Sequence, residues 1–151
     1  MSASPEILAL AMRSLPHGPE FRFVDRMVSL TPGVTGVGEY HVRGDEYYLR
    51  GHLPGEPILP GVLMVEAAAQ VAGMVAQDDP AHPRWPRLKL AALRGVKILG
   101  SAQPNDTLRI EAMITGQLGP MIQARVAAYI GGALVLSAEL SLSGGREEAK
   151  K

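Results

Sequence analysis

The sequence predicts an α+β fold in which an antiparallel sheet curls around one long apolar helix. The run "GVLMVEAAAQVAGMVAQ", residues 61–77, is rich in Ala, Val and Met and is apolar on nearly every side, which is typical of a helix that is covered by other elements. Residues 88–142 form four strand-like segments separated by short Gly-, Pro- and Asn-containing turns. Successive hairpins can bury such a helix by wrapping a sheet around it.

The first half of the chain predicts one short helix and two strands. Ser4-Pro5 is a favourable helix start, and apolar residues follow on one side of that helix: Ile7, Leu8, Ala11 and Leu15. The segments "FRFVDRMVSL" and "VTGVGEYHVR" predict strands joined by a turn at residues 31–33. Residues 51–61 contain three prolines, each of which removes a backbone donor and restricts the residue before it, so we expect an irregular, shaped loop.

The long helix is expected to begin at Pro60-Gly61 and to end near Ala76. Its polar side chains recur at about four-residue spacing and therefore share one face, which we call the polar seam: Glu66, Gln70 and Gln77, with Gly73 between them. After a loop at residues 78–87, the last four segments predict strands. In the final strand, alternate residues are expected to face the core: Leu134, Leu136, Ala138, Leu140 and Leu142.

Composition limits the function before any motif is considered. The chain of 151 residues fits a single domain, which we expect over residues 1–145, followed by a frayed tail at 146–151. Fifteen basic and fifteen acidic side chains cancel, so we expect neither nucleic acid nor a membrane as partner. Cysteine is absent, which excludes thiolate chemistry and disulfides. With no spanning run and no secretory signal in the sequence, a cytoplasmic location is expected.

Glu66 is the candidate proton donor. Apolar residues surround it along the helix, and a carboxylate removed from water pairs with another group or becomes protonated, so we expect a raised pKa. His52 lies just upstream on the proline-rich loop, and an imidazole is well suited to accept a proton near neutral pH. If the helix begins at Gly61, the amides of Gly61 and Val62 point out of its positive end, where they could stabilise an enolate-like oxygen. Together these groups fit removal of an α-proton with loss of a β-hydroxyl.

Three segments carry a resemblance to a known family. "GHLPGEPILPGVLMVEAAAQ", residues 51–70, resembles the signature G-H-F-P-x-x-P-x-x-P-G-V-L-x-x-E-A-x-A-Q of the (3R)-hydroxyacyl-[acyl carrier protein] dehydratases of type II fatty acid synthesis. "LPHGPEFRFVDR" and "SAQPNDTLRIEA" are similar to two further segments of that family. This chain departs from the family pattern at Gly18, Leu53 and Asn105. Asparagine tolerates positive φ, so the last change is mild.

The resemblance implies a hot-dog fold and a lyase that needs no cofactor and no metal. It implies that His52 takes the α-proton, that Glu66 protonates the departing hydroxyl, that Gln70 supports the carboxyl group or the water, and that the amide at Gly61 holds the thioester carbonyl. The acyl tunnel would involve Leu53, Pro60 and Met64. The implied partners are an acyl carrier protein bearing a 3-hydroxyacyl phosphopantetheine thioester and a second copy of the chain. The resemblance further implies dimers that share their active sites and assemble into hexamers.

Two other functions stay open at this stage. A hot-dog thioesterase would use the carboxylate to activate water or to attack the carbonyl, which leaves the histidine of the proline-rich loop without a role. A non-catalytic acyl-carrier-binding subunit would gain nothing from a buried acid. Glu66 also disfavours the related dehydratase-isomerases, which usually have aspartate at that position.

For the other histidines, His17, His41 and His82, we expect surface or capping roles, because their spacing is not that of metal ligands. Five basic residues could meet an acidic carrier protein or could line a solvated strand edge: Arg84, Arg87, Lys89, Arg94 and Lys97.

Overall fold

The computed structural model describes residues 3–52, 55–77, 85 and 88–144, apart from the side chains of residues 50–52. Within this part of the chain, six antiparallel strands form one sheet in the order β1-β2-β4-β5-β6-β3. The strands are β1 (Arg26–Thr31), β2 (Thr35–His41), β3 (Lys89–Ile98), β4 (Thr107–Leu118), β5 (Met121–Ile130) and β6 (Ala133–Ser143). The helices are α1 (Pro5–Arg13), α2 (Tyr47–His52) and α3 (Gly61–Gln77). The architecture is the expected α+β hot-dog fold.

Helix α3 forms the centre of the core, as its apolar sequence predicts. Eleven of its 17 residues are buried, and it packs against β1, β2, β4, β5 and β6. Two glycines of β2 allow the helix to approach closely, because a Cβ at Gly36 would lie 2.7 Å from Cγ2 of Val75 and one at Gly38 would lie 2.9 Å from Cγ2 of Val71. Helix α1 begins where expected, with the Oγ of Ser4 accepting a hydrogen bond from the amide of Ile7 at 3.4 Å.

The hairpins of the second half also follow the sequence. Gly131 and Gly132 both have positive φ, 56° and 84°, as the tight turn between β5 and β6 requires. Alternation along β6 holds from Leu136 onwards but fails at Leu134, which is 40% exposed. The pairing of β5 with β6 is irregular there, and such a bulge moves the residues before it to the other face of a strand.

Two sequence-based boundaries are wrong. The first strand begins at Arg26 rather than near Phe21, because residues 19–21 form a short 3-10 helix. The predicted loop at residues 51–61 begins inside α2, which ends at His52. From Gly55 the expected irregular chain is observed, with Leu59 forming an isolated bridge to Ala102 before α3 begins. The expected frayed tail at 146–151 lies outside the described residues.

Candidate active site

The polar seam of α3 lines a cavity of about 220 Å³. Four seam positions take part in its wall, namely Glu66, Gln70, Gly73 and Gln77. The opposite walls come from residues 14–17, from residues 88–90 at the start of β3, and from Leu142 of β6. The lining of the cavity is mainly apolar and includes one carboxyl group and one imidazole. This combination suits an apolar chain whose reactive head lies beside an acid.

Glu66 has the chemical environment expected of a proton donor. Its side chain is 22% exposed, and burial raises the pKa of its carboxyl group above 4.5. The electrostatic interaction with nearby His17 and a hydrogen bond from Gln70 lower the pKa of Glu66, but they do not reverse the effect of burial. A larger fraction of Glu66 therefore carries a proton at a given pH than would be the case for a solvated glutamate.

His17 also lies at the site, which the sequence did not predict. Its Nε2 lies 3.6 Å from Oε1 of Glu66, and its ring stacks on Phe21 with centroids 6.1 Å apart. Its backbone carbonyl accepts a hydrogen bond from Nε of Arg22 at 2.8 Å. The buried Nδ1 has no hydrogen-bond partner within the described residues. The sequence predicted a surface or capping role for His17, although "LPHGPEFRFVDR" carried part of the family resemblance and could have indicated the site.

Gln70 explains why His17 lies beside a residue 49 positions away. Its side chain is 2% exposed, its Oε1 accepts a hydrogen bond from the amide of Phe23 at 2.9 Å, and its Nε2 donates to the carbonyl of Phe21 at 2.9 Å. The buried glutamine thus holds the segment after His17 against α3. Its expected supporting role toward the carboxyl group or the water is not tested by these contacts and stays a prediction.

The first backbone amides of α3 have no carbonyl partner within their own helix. The amides of Leu63 and Met64 both donate to the carbonyl of Pro60, at 2.9 and 3.2 Å. The amides of Gly61 and Val62 precede them in the first helical turn, where no carbonyl of the same helix can be reached. Gly61 is also pressed against β3, because a Cβ on it would lie 2.8 Å from Cδ1 of Ile98. A larger residue would therefore displace this helix end.

The remaining predicted site residues fall into two groups. Met64 is fully buried in the core and Pro60 is buried at the helix start. His52 is the last residue of α2, but its side chain lies outside the described residues, as does all of Leu53. The expected proximity of His52 to a Glu66 carboxyl group is therefore still a prediction.

The described part of the chain contains neither a metal-binding cluster nor a membrane-spanning helix. There, no group of three or more His, Asp or Glu side chains is arranged to hold a metal ion. His41 instead lies 3.0 Å, Nδ1 to Oγ1, from Thr107 of the neighbouring strand. His82 lies outside the described residues. No described helix combines the length and apolar character needed to cross a bilayer.

Solved structures with the same fold include both dehydratases and thioesterase relatives. The dehydratase heterocomplex ApeI:P from Xenorhabdus doucetiae matches with a TM-score of 0.76 and 16% identity, covering 91% of each chain. A thioesterase superfamily member from Thermus thermophilus matches with a TM-score of 0.61 and 20% identity, covering 78% of this chain and 85% of its own. At these identities the comparison concerns the fold alone.

Sequence similarity is more specific. Residues 15–139 match the family described as the FabA-like domain. The 3-hydroxyacyl-[acyl-carrier-protein] dehydratase FabZ of Chloroflexus aggregans is 37% identical over 140 residues, 93% of this chain and 94% of its own length. The protein of that name from Geotalea uraniireducens is 38% identical over 132 residues, 85% of this chain and 90% of its own length. The chain therefore belongs to the FabA-like family, among the dehydratases of the FabZ type.

Proposed function

We propose that this protein is a hydro-lyase that converts (3R)-3-hydroxyacyl-[acyl carrier protein] to the trans-2-enoyl thioester in fatty acid or related lipid biosynthesis. The observation that carries the proposal is the half-buried Glu66, with its raised pKa, in the wall of a mainly apolar cavity. An acid whose pKa is raised, beside an apolar channel, suits proton donation to a departing hydroxyl on an acyl chain.

The reaction divides between one base and one acid. The imidazole of His52 takes the proton from the α-carbon as that C–H bond breaks. The electron pair forms the α–β double bond, and the β-carbon releases its hydroxyl group. Glu66 donates its proton to that oxygen, which leaves as water. Return of the proton from His52 to Glu66 through solvent restores both groups, so the cycle consumes no cofactor.

The start of α3 would hold the charge that develops during proton removal. The amides of Gly61 and Val62 donate hydrogen bonds to the thioester carbonyl, whose oxygen becomes more negative as the α-carbon loses its proton. The helix dipole acts in the same direction. Gln70 would support this arrangement by holding Glu66 and the segment that carries His17 in place.

His17 has two possible roles, and its position favours one of them. It lies 3.6 Å from Glu66 in the same chain, and the electrostatic interaction between the two side chains lowers the pKa of Glu66. We therefore assign His17 to control of Glu66 and keep His52 as the base. On this assignment, His17→Asn shifts the pH dependence of kcat and keeps measurable turnover, whereas His52→Ala abolishes turnover. The reverse pattern would identify His17 as the base.

The partner with the best structural support is a second copy of the chain. All ten residues of the edge strand β3 are exposed in the single chain. Several of them are apolar, including Leu90, Leu93, Val96 and Ile98. An unpaired, apolar edge strand promotes pairing with another strand, so two copies of β3 would join the sheets of a dimer. Val62 at the start of α3 is 72% exposed and would lie near such an interface, because its neighbour Gly61 contacts β3.

Dimerisation through β3 can be tested by introducing a charge. Leu93→Lys is expected to produce monomers in sedimentation velocity and to lose activity, because the site needs both subunits. Leu118→Lys is the matched control, since Leu118 is 84% exposed and is the last residue of β4, outside the proposed interface. A dimeric and active Leu93→Lys variant would contradict this interface. Assembly into hexamers stays a prediction from the family resemblance.

The acyl carrier protein is the proposed second partner. Of the basic residues considered from sequence, Lys89, Arg94 and Lys97 are exposed along β3. Arg84 and Arg87 lie outside the described residues. Because β3 is also the strand that we propose for the subunit interface, we infer that these three basic residues line a solvated strand edge and do not form the carrier-protein surface. The proposed cytoplasmic location rests on the family alone.

The first experiment follows the enoyl-thioester absorbance after a trans-2-enoyl thioester is added to the purified protein, with a thiol-reactive dye in parallel. The dehydratase is expected to remove the band by hydration without releasing thiol, and His52→Ala should prevent this. Thiol release would instead identify a thioesterase. An unchanged band with both carrier-bound and coenzyme A substrates would leave the acyl-carrier-binding subunit as the function.

Shared active sites can be tested by mixing two inactive variants. His52→Ala and Glu66→Gln each disable one residue of the proposed pair. If one chain supplies the histidine and the other the glutamate, a mixed dimer carries one intact site and regains activity after subunit exchange. Confirmed exchange without regained activity would contradict a site shared between chains.

A further inference from the structure

Helix α2 is joined to β2 by three polar side chains, Tyr40, Glu46 and Tyr48, which we call the tyrosine–glutamate cluster. The hydroxyl of Tyr40 donates to Oε2 of Glu46 at 2.8 Å and is also hydrogen-bonded to the hydroxyl of Tyr48. Tyr48 approaches the same carboxylate oxygen at 3.3 Å. Tyr40 lies near the end of β2, Glu46 directly precedes α2, and Tyr48 lies in its first turn.

The carboxylate of Glu46 also organises the backbone that leads into α2. Its Oε1 accepts a hydrogen bond from the amide of Gly44 at 2.6 Å, and its Oε2 accepts one from the amide of Arg43 at 3.2 Å. Burial by itself would raise the pKa of Glu46, but the hydrogen bonds from Tyr40 and from these amides outweigh it, and the pKa is lowered. Glu46 is therefore a charged acceptor that two phenols and two amides share.

The two phenols are fixed by packing as well as by hydrogen bonds. The ring of Phe23 meets Tyr40 edge to face at 6.0 Å and Tyr48 at 5.4 Å, measured between centroids. Tyr40 is 2% exposed. Burial raises the pKa of Tyr48 to about 12 and that of Tyr40 further still, so both remain neutral donors at physiological pH. The cluster is thus a rigid connection between the sheet and α2.

We propose that Tyr40, Glu46 and Tyr48 are positioning residues that fix α2 and so set the place of His52, its last residue. This inference rests on the proposed function, in which His52 is the base. A helix of six residues has little stability of its own, so its position depends on its tertiary contacts. Within the described residues the cluster does not line the cavity beside Glu66, so its effect on turnover passes through α2.

The structure offers two test variants and a matched control. Tyr48→Phe removes one hydroxyl and keeps the ring, and Glu46→Gln keeps the shape but removes the charge. Tyr47→Phe deletes the neighbouring hydroxyl, whose contact with the carbonyl of Glu20 is a long 3.4 Å on a 55% exposed side chain. For hydration of an enoyl thioester by the intact oligomer, we expect kcat to fall about tenfold or more in both test variants. KM should stay within about twofold, since substrate contacts are unchanged, and Tyr47→Phe should match the parent.

A spectroscopic measurement separates positioning from general loss of structure. The chain has four histidines, so ring signals of labelled histidine can be assigned by the signal that disappears in His52→Ala. We expect the His52 signal to move or broaden in Tyr48→Phe and Glu46→Gln and the other three signals to stay in place. Displacement of all four signals would indicate a general structural effect and would overturn the inference.

The outcomes also distinguish this inference from the proposed function. Parent-like kcat and an unmoved His52 signal in both test variants, with His52→Ala inactive, would overturn the positioning role alone. A fully active His52→Ala would refute the assignment of the base and the positioning role with it. If Glu46→Gln does not fold, Tyr48→Phe decides the matter, because it removes a single oxygen and leaves the ring packing intact.

Discussion

Replacing Gln70 tests whether one buried amide holds the site together. Gln70→Met keeps an unbranched side chain of similar length but can no longer bond to Phe21 and Phe23, whereas Gln70→Ala also leaves a void. In both variants the amide of Phe23 loses its partner at a residue that is 1% exposed. The carbonyl of Phe21 loses a donor in a half-buried position, where water can partly replace it.

The expected destabilisation follows from these two groups. A buried donor left unsatisfied costs about 1–3 kcal/mol, and the carbonyl adds less, so the free energy of unfolding should fall by roughly 2–4 kcal/mol in Gln70→Met. For a chain of this length, that corresponds to a melting temperature lower by roughly 5–15 °C. Gln70→Ala should be less stable again because of its cavity.

Urea unfolding at a fixed protein concentration is the appropriate assay, because a dimer gains stability with concentration. Gln77→Met is the matched control. Gln77 makes an equivalent pair of hydrogen bonds with the backbone of Trp85, at 2.9 and 2.8 Å, but it is only partly buried. Its replacement should therefore cost less. A Gln70→Met variant as stable as the parent, or no less stable than Gln77→Met, would refute the reasoning.

Three further predictions concern single contacts. Glu66→Gln should raise stability at neutral pH. Because the folded-state pKa of Glu66 is raised, the parent loses stability as pH rises through the carboxyl range, so the gain should vanish below about pH 4.5 and unfolding curves at two pH values will reveal it. Gly36→Ala should cost about 1–3 kcal/mol through overpacking against Val75, and Val75→Ala should recover part of that loss in a double-mutant cycle; additive effects would contradict the contact. In an absorbance titration of phenol ionisation, Tyr48 should ionise near pH 12 and Tyr48→Phe should lack that step; complete ionisation of all tyrosines in the folded parent by pH 11 would contradict its burial.

The sequence was informative wherever the local pattern alone decides the structure. Helix α3 and the hairpins of β4 to β6 follow from apolar runs and turn residues. The left-handed conformation expected of Asn105 is found, with φ of 75°. Those features depend on neighbours in the chain, so one sequence is enough to predict them.

The features that sequence reasoning missed depend on distant contacts. Helix α2 forms where the carboxylate of Glu46 satisfies local amides and where Tyr40, from another element, supplies a hydrogen bond. The approach of His17 to Glu66 depends on Gln70, which binds backbone groups 47 and 49 positions away. Neither contact produces a periodic pattern, so periodicity and spacing alone do not place His17 beside Glu66, although its segment carries part of the family resemblance.

The three polar side chains of the seam also explain why a glutamate lies in an otherwise apolar helix. Gln70 and Gln77 each face a backbone segment that presents both an N–H and a carbonyl, and an amide side chain can satisfy both because it carries a donor and an acceptor. A carboxylate could satisfy only the N–H and would repel the carbonyl. Glu66 faces the cavity and an imidazole instead, where no such pair of backbone groups determines the residue type. The two glutamines are therefore accounted for by folding. Burial of the glutamate instead carries a cost that folding does not require, as expected if Glu66 is the proton donor that we propose.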